Sequence, residues 1–363
     1  MRVFYYSVFN NYGGIENFAK NIISAVINKR DDVKYTIISS NDNFPFQELF
    51  ISLGCDIEIV PSLRKPKAFY KKILNIFKTG NKETDIVQIN ICTYRNPLVH
   101  MAAKKSGLRT ITVGHYSNVE GKLKILHYIN RFKYRNFGLK VSVSNHCKDF
   151  TFGKKADSII IDNGVDSKLF AFNGKIREDF RKKLNISENE ILIGQVGRYS
   201  PEKNQMFTIE LFNQISRRYS NVKLCFVGNG DFAKVKEYIK QNKLDNKVII
   251  GHATYQDITN WYNSFDLFFM PSKHEAFGLT LLEALSNGLT SFVSNNVPTL
   301  DVDGPVSYLE NEIDKWLDCS INFIKAINQP YPRKNYILNS KYSLDRCASK
   351  YIDLYFNYDK YKK

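Results

Sequence analysis

Short apolar runs alternate along the whole chain with longer stretches whose apolar residues recur at helical spacing. Each short run, bounded by turn residues, predicts a β-strand. The first set of strands is predicted at 3–9, 35–40, 56–60, 85–91, 110–114, 140–144 and 158–162, and the second at 191–197, 222–228, 247–250, 267–271 and 290–294. Because strands that alternate with helices form parallel sheets covered on both faces, the pattern predicts an α/β protein.

The two sets of strands predict two doubly wound, Rossmann-like domains that face each other across a cleft. The first domain is expected at 1–165 and the second at 166–340. A final helix within 341–363 carries Leu344, Ala348 and Tyr351 on one face, and we expect it to pack back on the first domain. Open parallel sheets bind ligands at the carboxyl ends of their strands, so candidate residues are expected there.

The composition is that of a folded protein, with 43% hydrophobic residues among 363. No apolar run approaches the roughly 18 residues that a membrane span needs. The first strand begins within the first few residues without a signal-peptide pattern, and the six cysteines are scattered. These features predict a cytoplasmic protein with free thiols and without structural zinc.

Positive charge is concentrated in the first half of the chain. Residues 1–165 contain 25 lysines and arginines against 13 aspartates and glutamates, and the whole chain has a net charge of +16. Such a half favours a polyanion, an anionic membrane or an acidic substrate. No nucleic-acid-binding motif is present, so nucleic acid is not the expected partner.

Two basic stretches, 65–82 and 120–137, interleave lysines and arginines with apolar residues. Helices of this kind can lie on an anionic leaflet. They are equally compatible with ordinary surface helices whose apolar side faces the core, and the sequence leaves both interpretations open.

Two carboxylates, Glu275 and Glu283, lie where a predicted strand gives way to a predicted helix. Glu275 falls in the joining loop and Glu283 about one and a half turns into the helix. The amides of Gly278, Leu279 and Thr280 fall in the first turn, where they lack intrahelical partners and can bind an anion. Carboxylates that bind hydroxyls, beside amides that bind phosphate, suit a sugar nucleotide. The two glutamates could also be ordinary surface residues.

Further candidates also follow predicted strands. Gly13, Gly14 and Glu16 open the first helix, where paired glycines either admit a ligand or form an ordinary tight turn. Arg198 and Lys203 follow the first strand of the second set, with Lys203 expected in the first turn of the next helix. The planar guanidinium of Arg198 and the mobile ammonium of Lys203 could together neutralise a diphosphate.

His115 lies at the carboxyl end of the strand at 110–114, where a histidine is either structural or catalytic. Asp301 and Asp303 form a DxD string, which in other transferases holds a metal-bound diphosphate. Here the string lies in a loop after Pro298, and turn chemistry explains it more simply. The histidines show no shared metal-binding spacing, and we expect no metal.

Together these motifs resemble the GT-B-fold, retaining glycosyltransferases of family 4 (group 1), in the branch that builds bacterial surface polysaccharides. The resemblance is strongest from 143 to 298, and in the first domain it lies mainly in Gly13–Glu16 and around His115. Residues after about 300 match poorly. The motifs that carry it, in matching order and spacing, are Asn163-Gly164-Val165-Asp166, Val196-Gly197-Arg198, Pro201-Glu202-Lys203-Asn204, Val227-Gly228-Asn229-Gly230 and the segment from Glu275 to Glu283.

The resemblance implies roles for the candidate residues of the second, nucleotide-sugar-binding domain. It assigns Arg198, Lys203 and the amides of 278–280 to the donor diphosphate. Glu283 is implied to hold the ribose hydroxyls, with the Ala253 backbone near the base.

For the reacting sugar, the resemblance makes Glu275 a stabiliser of the sugar and its charge, with Phe277 in contact with the sugar. His115 is implied to reach the sugar from the first, acceptor-binding domain. Gly13, Gly14 and Glu16 are implied to lie between donor and acceptor.

The implied activity is retaining transfer of a hexose or N-acetylhexosamine, without a metal or other cofactor, from a nucleotide sugar that is expected to be UDP-linked. The implied acceptor is a lipid-diphosphate-linked saccharide at the inner face of the cell membrane, in the synthesis of a capsule, O-antigen or exopolysaccharide. A catalytically silent GT-B partner subunit is the alternative, and the intact set of Arg198, Lys203, Glu275 and Glu283 argues against it. The sequence does not define the donor sugar, the linkage or the oligomeric state.

Overall fold

The computed structural model describes residues 1–7, 13–116, 123–134, 136–254, 256–298, 300–327 and 333–362. The chain divides into two compact units, one formed by Met1–Gly164 together with Leu344–Lys363 and the other by Val165–Ser343. The first unit is therefore completed by residues that follow the second unit in the chain.

A parallel sheet forms the centre of the first unit. Its strands within the described residues are β1 (Arg2–Tyr6), β2 (Lys34–Ser39), β3 (Asp56–Ile59), β4 (Ile86–Ile91), β5 (Arg109–Gly114), β6 (Leu139–Ser142) and β7 (Ile159–Ile160). They pair in the order β3-β2-β1-β4-β5-β6-β7. The order reverses between β1 and β4, and such a reversal opens the crevice at which doubly wound sheets bind ligands.

Helices bury both faces of this sheet. The described helices of 1–164 are α1 (Gly14–Lys29), α2 (Gln47–Ser52), α3 (Pro66–Phe77), α4 (Leu98–Ser106), α5 (Leu123–Tyr134) and α6 (Asn145–Thr151). Successive side chains of a strand point to opposite faces. Accordingly, Val3 and Tyr5 of β1 share a core with α1, whereas Phe4 and Tyr6 share one with α3 and α4.

The second unit repeats the same architecture. Its strands within the described residues are β8 (Ile191–Val196), β9 (Val222–Val227), β10 (Val248–Gly251), β11 (Leu267–Met270), β12 (Thr290–Ser294) and β13 (Val306–Leu309). They are parallel and pair in the order β10-β9-β8-β11-β12-β13. The strand order reverses between β8 and β11, which places the ligand crevice of this unit at the carboxyl ends of those two strands.

The helices of the second unit include one that is tied to the central sheet by charge. The described helices are α7 (Gly174–Lys183), α8 (Gln205–Arg218), α9 (Ala233–Gln241), α10 (Ile258–Ser264), α11 (Leu279–Ser286) and α12 (Ile313–Ala326). Arg177 and Arg181 of α7 pair with the fully buried carboxylate of Asp266 at 2.5 and 2.9 Å. The same carboxylate accepts the Leu192 amide of β8 at 2.8 Å, so it joins α7 to the two central strands.

Helix α13 (Leu344–Phe356) belongs to the first unit, and a 3₁₀ turn (Tyr358–Tyr361) follows it. Tyr351 and Tyr355 are fully buried in the core that α1 shares with the sheet. The Tyr355 hydroxyl donates a hydrogen bond to Oε1 of Gln88, on β4, at 2.5 Å. The last described helix is thus a structural part of the first sheet's covering layer.

The predicted α/β architecture, with two doubly wound sheets, is confirmed. Every predicted strand overlaps a strand of the structure, and residues 8 and 9 of the first predicted strand lie outside the described residues. The pattern misses β13, since Val306–Leu309 is a short edge strand, partly exposed at each residue, that follows a Gly-Pro pair typical of a turn. Among the described helices, none is both long and apolar enough to span a bilayer.

Candidate active site

The loops after β8 and β11 are joined where the strand order of the second sheet reverses. The Asn204 side-chain amide donates to the carbonyl of Pro271 at 3.2 Å. The Lys273 backbone amide donates to the carbonyl of Glu202 at 2.7 Å. The two loops therefore form one connected edge of the crevice, which we call the switch-point rim (residues 197–204 and 271–280).

An ion pair lies within the switch-point rim. The Lys203 ammonium donates to Oε1 of the Glu275 carboxylate. The Ser272 hydroxyl donates to the same oxygen at 3.0 Å. The side chains of Lys203 and Glu275 are 26% and 13% exposed, so both are partly shielded from water and still open to a ligand. Two residues that the sequence singled out in separate motifs are thus brought together.

Lys203 does not lie in the first turn of a helix, and the prediction that it does is wrong. Helix α8 begins at Gln205, and Asn204 is its N-cap in the left-handed conformation, with φ 57° and ψ 41°. Asparagine tolerates this conformation better than most residues. The turn before α8 holds Lys203 outside the helix.

Arg198 is exposed at the other end of the same loop. The Gln205 side-chain amide donates to the Arg198 carbonyl at 3.0 Å and fixes the backbone there. A hydrogen bond from Ser200 lowers the pKa of Glu202, and the nearby charge of Arg198 lowers it further. The Arg198 side chain belongs to the same loop of the rim as Lys203, and it is accessible to an anion.

Helix α11 starts at the rim. Gly278 is its N-cap with φ 101° and ψ 52°, a conformation that strains residues with a side chain. The Gly278 carbonyl accepts the Leu281 amide at 3.0 Å. The amides of Leu279 and Thr280 fall in the first turn, where a helix offers no acceptor of its own. The predicted anion-binding amides thus lie at a helix N-terminus, as expected.

Glu283 is held by a buried tyrosine. The Tyr262 hydroxyl, from α10, donates to Oε2 of Glu283 at 2.6 Å and also approaches the Thr280 carbonyl at 3.3 Å. Burial raises the pKa of Tyr262 well above its ordinary value, and the charge of Glu283 adds to the effect. The phenol therefore remains a hydrogen-bond donor at physiological pH and fixes one oxygen of Glu283.

The loops after β8, β9 and β10 also pack closely. The Gly228 amide donates to the Gly251 carbonyl at 3.0 Å. A Cβ on Gly228 would lie 2.2 Å from the carbonyl oxygen of Gly197, so only glycine fits there. Ala253, which follows β10, is partly exposed at the same edge of the sheet.

Phe277 is a buried residue of the switch-point rim. Its ring is 4% exposed and packs edge-on against Tyr342, with the ring centroids 5.9 Å apart. This contact anchors the loop that carries Glu275. Contact between the Phe277 ring and a sugar stays a prediction.

In the first unit, Gly13 and Gly14 lie at the start of α1, where Gly13 is the N-cap. Glu16 is buried, with 8% exposure. Its carboxylate folds over Gly13, because a Cβ at position 13 would lie 2.9 Å from Oε2 of Glu16. A Cβ at Gly14 would meet no described atom within 4 Å. A side chain at position 13 would therefore displace the end of the Glu16 side chain.

His115 directly follows β5 and is buried. Its Nε2 lies 3.0 Å from Oδ1 of Asn90, and its ring centroid lies 4.6 Å from that of Phe18. Burial lowers the pKa of His115 from its ordinary value of 6.5 to about 3. The imidazole is therefore neutral at physiological pH and suits hydrogen bonding better than proton storage.

A chain of buried hydrogen bonds joins His115 to α13. The hydroxyl of Tyr355 donates to Oε1 of Gln88 at 2.5 Å. The side-chain amide of Gln88 lies 3.3 Å from Oδ1 of Asn90 and donates to it. Since Asn90 Oδ1 is an acceptor, the facing Nε2 of His115 carries the proton. The helix at 344–356 thus helps to define the tautomer of His115.

Asp301, the first residue of the DxD string, pairs with the Lys341 ammonium at 3.2 Å. Within the described ranges, no group of three or more His, Cys, Asp or Glu side chains is arranged to hold a metal ion. Asp301 therefore has a basic neighbour in its own unit.

Four residues that support the candidate site were not predicted from the sequence: Tyr262, Ser272, Asn204 and Asn90. Tyr262 lies in an apolar helical stretch and reads only as core. Ser272 precedes Glu275 by three residues, a spacing that could have suggested a local contact. Asn90 ends an apolar strand, and its position next to His115 depends on strand pairing that a sequence does not show.

Solved structures with this fold include glycosyltransferases of the GT-B class. A glycosyltransferase from Rickettsia africae ESF-5 superposes with a TM-score of 0.77 and 21% identity, over 99% of this chain and 98% of that chain. HepE of Anabaena in complex with UDP-glucose superposes with a TM-score of 0.74 and 17% identity, over 100% of this chain and 97% of that chain. At these identities the likeness concerns the fold.

Sequence comparisons agree with the fold. Residues 176–302 match the family described as glycosyl transferases group 1. EpsF of Bacillus subtilis (strain 168), a protein assigned to the glycosyltransferases, is 25% identical over 79% of this chain and 77% of its own length. The UDP-Gal:alpha-D-GlcNAc-diphosphoundecaprenol alpha-1,3-galactosyltransferase of Escherichia coli is 30% identical over 44% of this chain and 40% of its own length. The chain is thus similar to the group 1 glycosyltransferases over 176–302, and it has the GT-B fold.

Proposed function

We propose that this glycosyltransferase transfers a hexose or N-acetylhexosamine from a UDP-sugar, with retention of configuration, to a lipid-diphosphate-linked saccharide during synthesis of a bacterial surface polysaccharide. The observation that carries the proposal is the pairing of Lys203 with Glu275 beside the N-terminus of α11. A cation, a carboxylate and first-turn amides stand together at the rim, and these groups suit a sugar diphosphate.

The donor diphosphate is proposed to bind to Arg198, Lys203 and the amides of Leu279 and Thr280. The guanidinium offers a planar fork and the ammonium a mobile point charge. Negative charge develops on the leaving phosphate as its bond to the sugar breaks, and these groups stabilise that charge. With two cations and helix amides available, the reaction is proposed to need no metal.

The nucleoside is proposed to lie against Glu283 and the backbone of Ala253. Glu283 would accept hydrogen bonds from the ribose hydroxyls, and Tyr262 holds the carboxylate for that purpose. Two comparisons support UDP as the nucleotide: HepE was solved with UDP-glucose, and the Escherichia coli relative is named for a UDP-galactose donor.

In the proposed chemistry, the acceptor hydroxyl attacks the anomeric carbon on the face that the phosphate leaves. The new carbon–oxygen bond forms as the bond to the phosphate oxygen breaks, and the leaving phosphate takes the acceptor's proton. Glu275 stabilises the positive charge that develops on the sugar ring. Neutral His115, whose protonated Nε2 faces Asn90, is proposed to accept a hydrogen bond from a substrate hydroxyl at Nδ1, and Gly13, Gly14 and Glu16 to border the acceptor.

The acceptor and the location of the protein follow from charge and from one relative. The Escherichia coli relative is named for an acceptor in which a sugar is linked through a diphosphate to undecaprenol. The excess of lysine and arginine in 1–165 suits such an acceptor and an anionic membrane. We therefore propose that the protein acts as a peripheral protein at the cytoplasmic face of the cell membrane.

A donor screen tests this function. Purified protein would be incubated with each common UDP-sugar, with and without a polyprenyl-diphosphate-linked saccharide, and release of UDP would be measured. We expect one UDP-sugar to give UDP release that depends on the lipid, and a product whose anomeric configuration is that of the donor. UDP binding without turnover of any donor would instead support a silent partner subunit.

A further inference from the structure

Helix α5 is attached to the first unit by polar side chains. His127 and Asn130 are 0% and 5% exposed. His127 Nδ1 accepts the Tyr94 amide at 3.2 Å and its Nε2 lies 3.2 Å from the Phe150 carbonyl. Asn130 donates to the Tyr94 carbonyl at 2.8 Å. The inner face of this helix therefore combines these hydrogen bonds with the buried ring of Tyr134, which lies in the core beside α3 and α4.

The outer face of α5 is apolar. Ile125, Ile129 and Phe132, at helical spacing on one stripe, are 66%, 58% and 66% exposed. Leu126 and Tyr128 beside them are 43% and 39% exposed. Single exposed apolar residues are ordinary, but a contiguous group on one helix marks an interaction surface. We call these five residues the α5 outer face.

Helix α3 shows that basic amphipathic sequence alone does not produce such a face. Its apolar residues Phe69, Ile73 and Phe77 are all 0% exposed and lie in the core beside the sheet. Of the two basic stretches that the sequence left equivalent, 65–82 thus contains an ordinary surface helix. Only the described part of 120–137 turns its apolar side outward.

Positive charge borders the α5 outer face. Lys124 and Lys133 are exposed, and the helix has no acidic residue. The Arg131 guanidinium lies 4.6 Å from the centroid of the Tyr128 ring and donates to the Phe150 carbonyl at 3.1 Å. Lys122, also part of this stretch, lies outside the described residues. A second copy of this chain would present the same charge and be repelled, whereas an anionic bilayer is attracted.

We propose that the α5 outer face inserts into the interfacial region of an anionic membrane. Ile125, Ile129 and Phe132 lie among the acyl chains, and Lys124 and Lys133 bind lipid phosphates. Long basic side chains reach headgroups while apolar neighbours stay below them. The inference rests on the proposed function in one respect only. The purpose of docking is to bring a lipid-linked acceptor within reach of the enzyme.

Vesicle binding by the full chain tests the insertion. The triple variant Ile125→Ser, Ile129→Ser, Phe132→Ser should lower the partition coefficient onto phosphatidylglycerol–phosphatidylcholine vesicles about 100-fold. A matched control changes three exposed apolar residues elsewhere, Ile51→Ser, Leu63→Ser and Leu338→Ser, and should bind as the parent does. Equal binding by the triple variant and the parent would overturn the proposal, as would an equal loss in the control.

A fluorescence measurement separates insertion from purely electrostatic adsorption. The native Trp261 and Trp316 are 6% and 0% exposed, so a tryptophan at position 132 would be distinguishable from them. In Phe132→Trp we expect emission to shift to the blue on vesicle addition and to be quenched by lipids brominated on their acyl chains. Binding without quenching would place the helix above the acyl region and contradict the inference.

Two further measurements identify other occupants and keep this proposal separate from the catalytic one. If light scattering shows that the parent is a dimer and the triple variant a monomer, a second copy covers the α5 outer face and the proposal fails. Slow hydrolysis of the donor by water, without lipid, should be equal in the parent and the triple variant. If the parent turns over no donor but inserts into vesicles, the proposed function fails and the docking surface stands.

Discussion

Lys203 and Glu275 are 72 residues apart in the chain and form an ion pair at the rim of the second unit. Their loops follow β8 and β11, which are neighbours only because the strand order reverses between them. The ion pair therefore depends on the correct pairing of β8 with β11. Since each charge shapes the environment of the other, substitutions at the two positions are expected to be non-additive.

Removing either cation of the rim should impair catalysis without unfolding the protein. Arg198→Ala and Lys203→Ala are each expected to lower turnover about 100-fold or more, because each removes a charge-assisted contact to the leaving phosphate. The measurement is UDP release at saturating donor. Lys234→Ala, at an exposed position of α9, is the matched control. Near-parental activity in either rim variant would contradict the diphosphate assignment.

The two glutamates should affect different kinetic quantities. Glu283→Gln is expected to weaken UDP binding, and Tyr262→Phe should weaken it in the same direction by about tenfold, since the hydroxyl holds the Glu283 carboxylate. Glu275→Gln should mainly lower kcat. Calorimetric titration with UDP and steady-state kinetics distinguish these effects. If both glutamine variants bind UDP and turn over normally, the 275–283 segment is structural.

Stability of the first unit should fall in mild acid because of buried neutral histidines. Burial lowers the pKa of His100 and of His115 from 6.5 to about 3. Between pH 6.5 and pH 3 the two histidines are protonated in the unfolded chain but neutral in the folded protein. The free energy of unfolding is therefore highest above pH 6.5 and decreases as the pH falls towards 3. Lowering the pH from 7 to 5 should reduce the free energy of unfolding by about 2 kcal/mol for each of the two histidines.

The variant His100→Gln checks this expectation. His100 is bonded to Thr112 away from the candidate site, and glutamine cannot titrate. Denaturant unfolding at pH 7 and pH 5 should show a smaller loss of stability for the variant than for the parent. An unchanged pH dependence would show that His100 is not a source of the acid sensitivity.

Activity should persist in excess EDTA. The rim supplies Arg198, Lys203 and helix amides for the diphosphate, and the Asp301 carboxylate already faces the Lys341 ammonium. UDP release would be compared before and after chelation and after addition of Mn²⁺. Loss of activity in EDTA with recovery in Mn²⁺ would favour Asp301 and Asp303 as metal ligands.

Local patterns predicted most of the fold. Buried strands of a doubly wound sheet are continuous apolar runs, and their ends are marked by glycine or a polar residue, so both sheets could be located. The same logic located Glu275 and the start of α11. It failed for β13, which is short and half-exposed, and for the position of Lys203, because an asparagine in left-handed conformation delays α8.

Contacts between distant segments could not be read from the sequence. The holding of Glu283 by Tyr262, and of His115 by Asn90, depends on which elements become neighbours after folding. The contrast between α3 and α5 has the same origin. Both stretches alternate basic and apolar residues, but His127 and Asn130 bond α5 to backbone groups of Tyr94 and Phe150, and its apolar stripe is on the opposite side.

Helix α13 also determines when the first unit can complete its folding during synthesis. The ribosome makes 1–164 first, yet that unit lacks Tyr351 and Tyr355 until the segment at 344–358 emerges. The unit at 165–343 is contiguous and can close while its predecessor is still incomplete. During synthesis, then, the first-made half waits with a sheet face that α1 covers only in part. We expect this waiting intermediate to be the species that chaperones bind and that proteases cut.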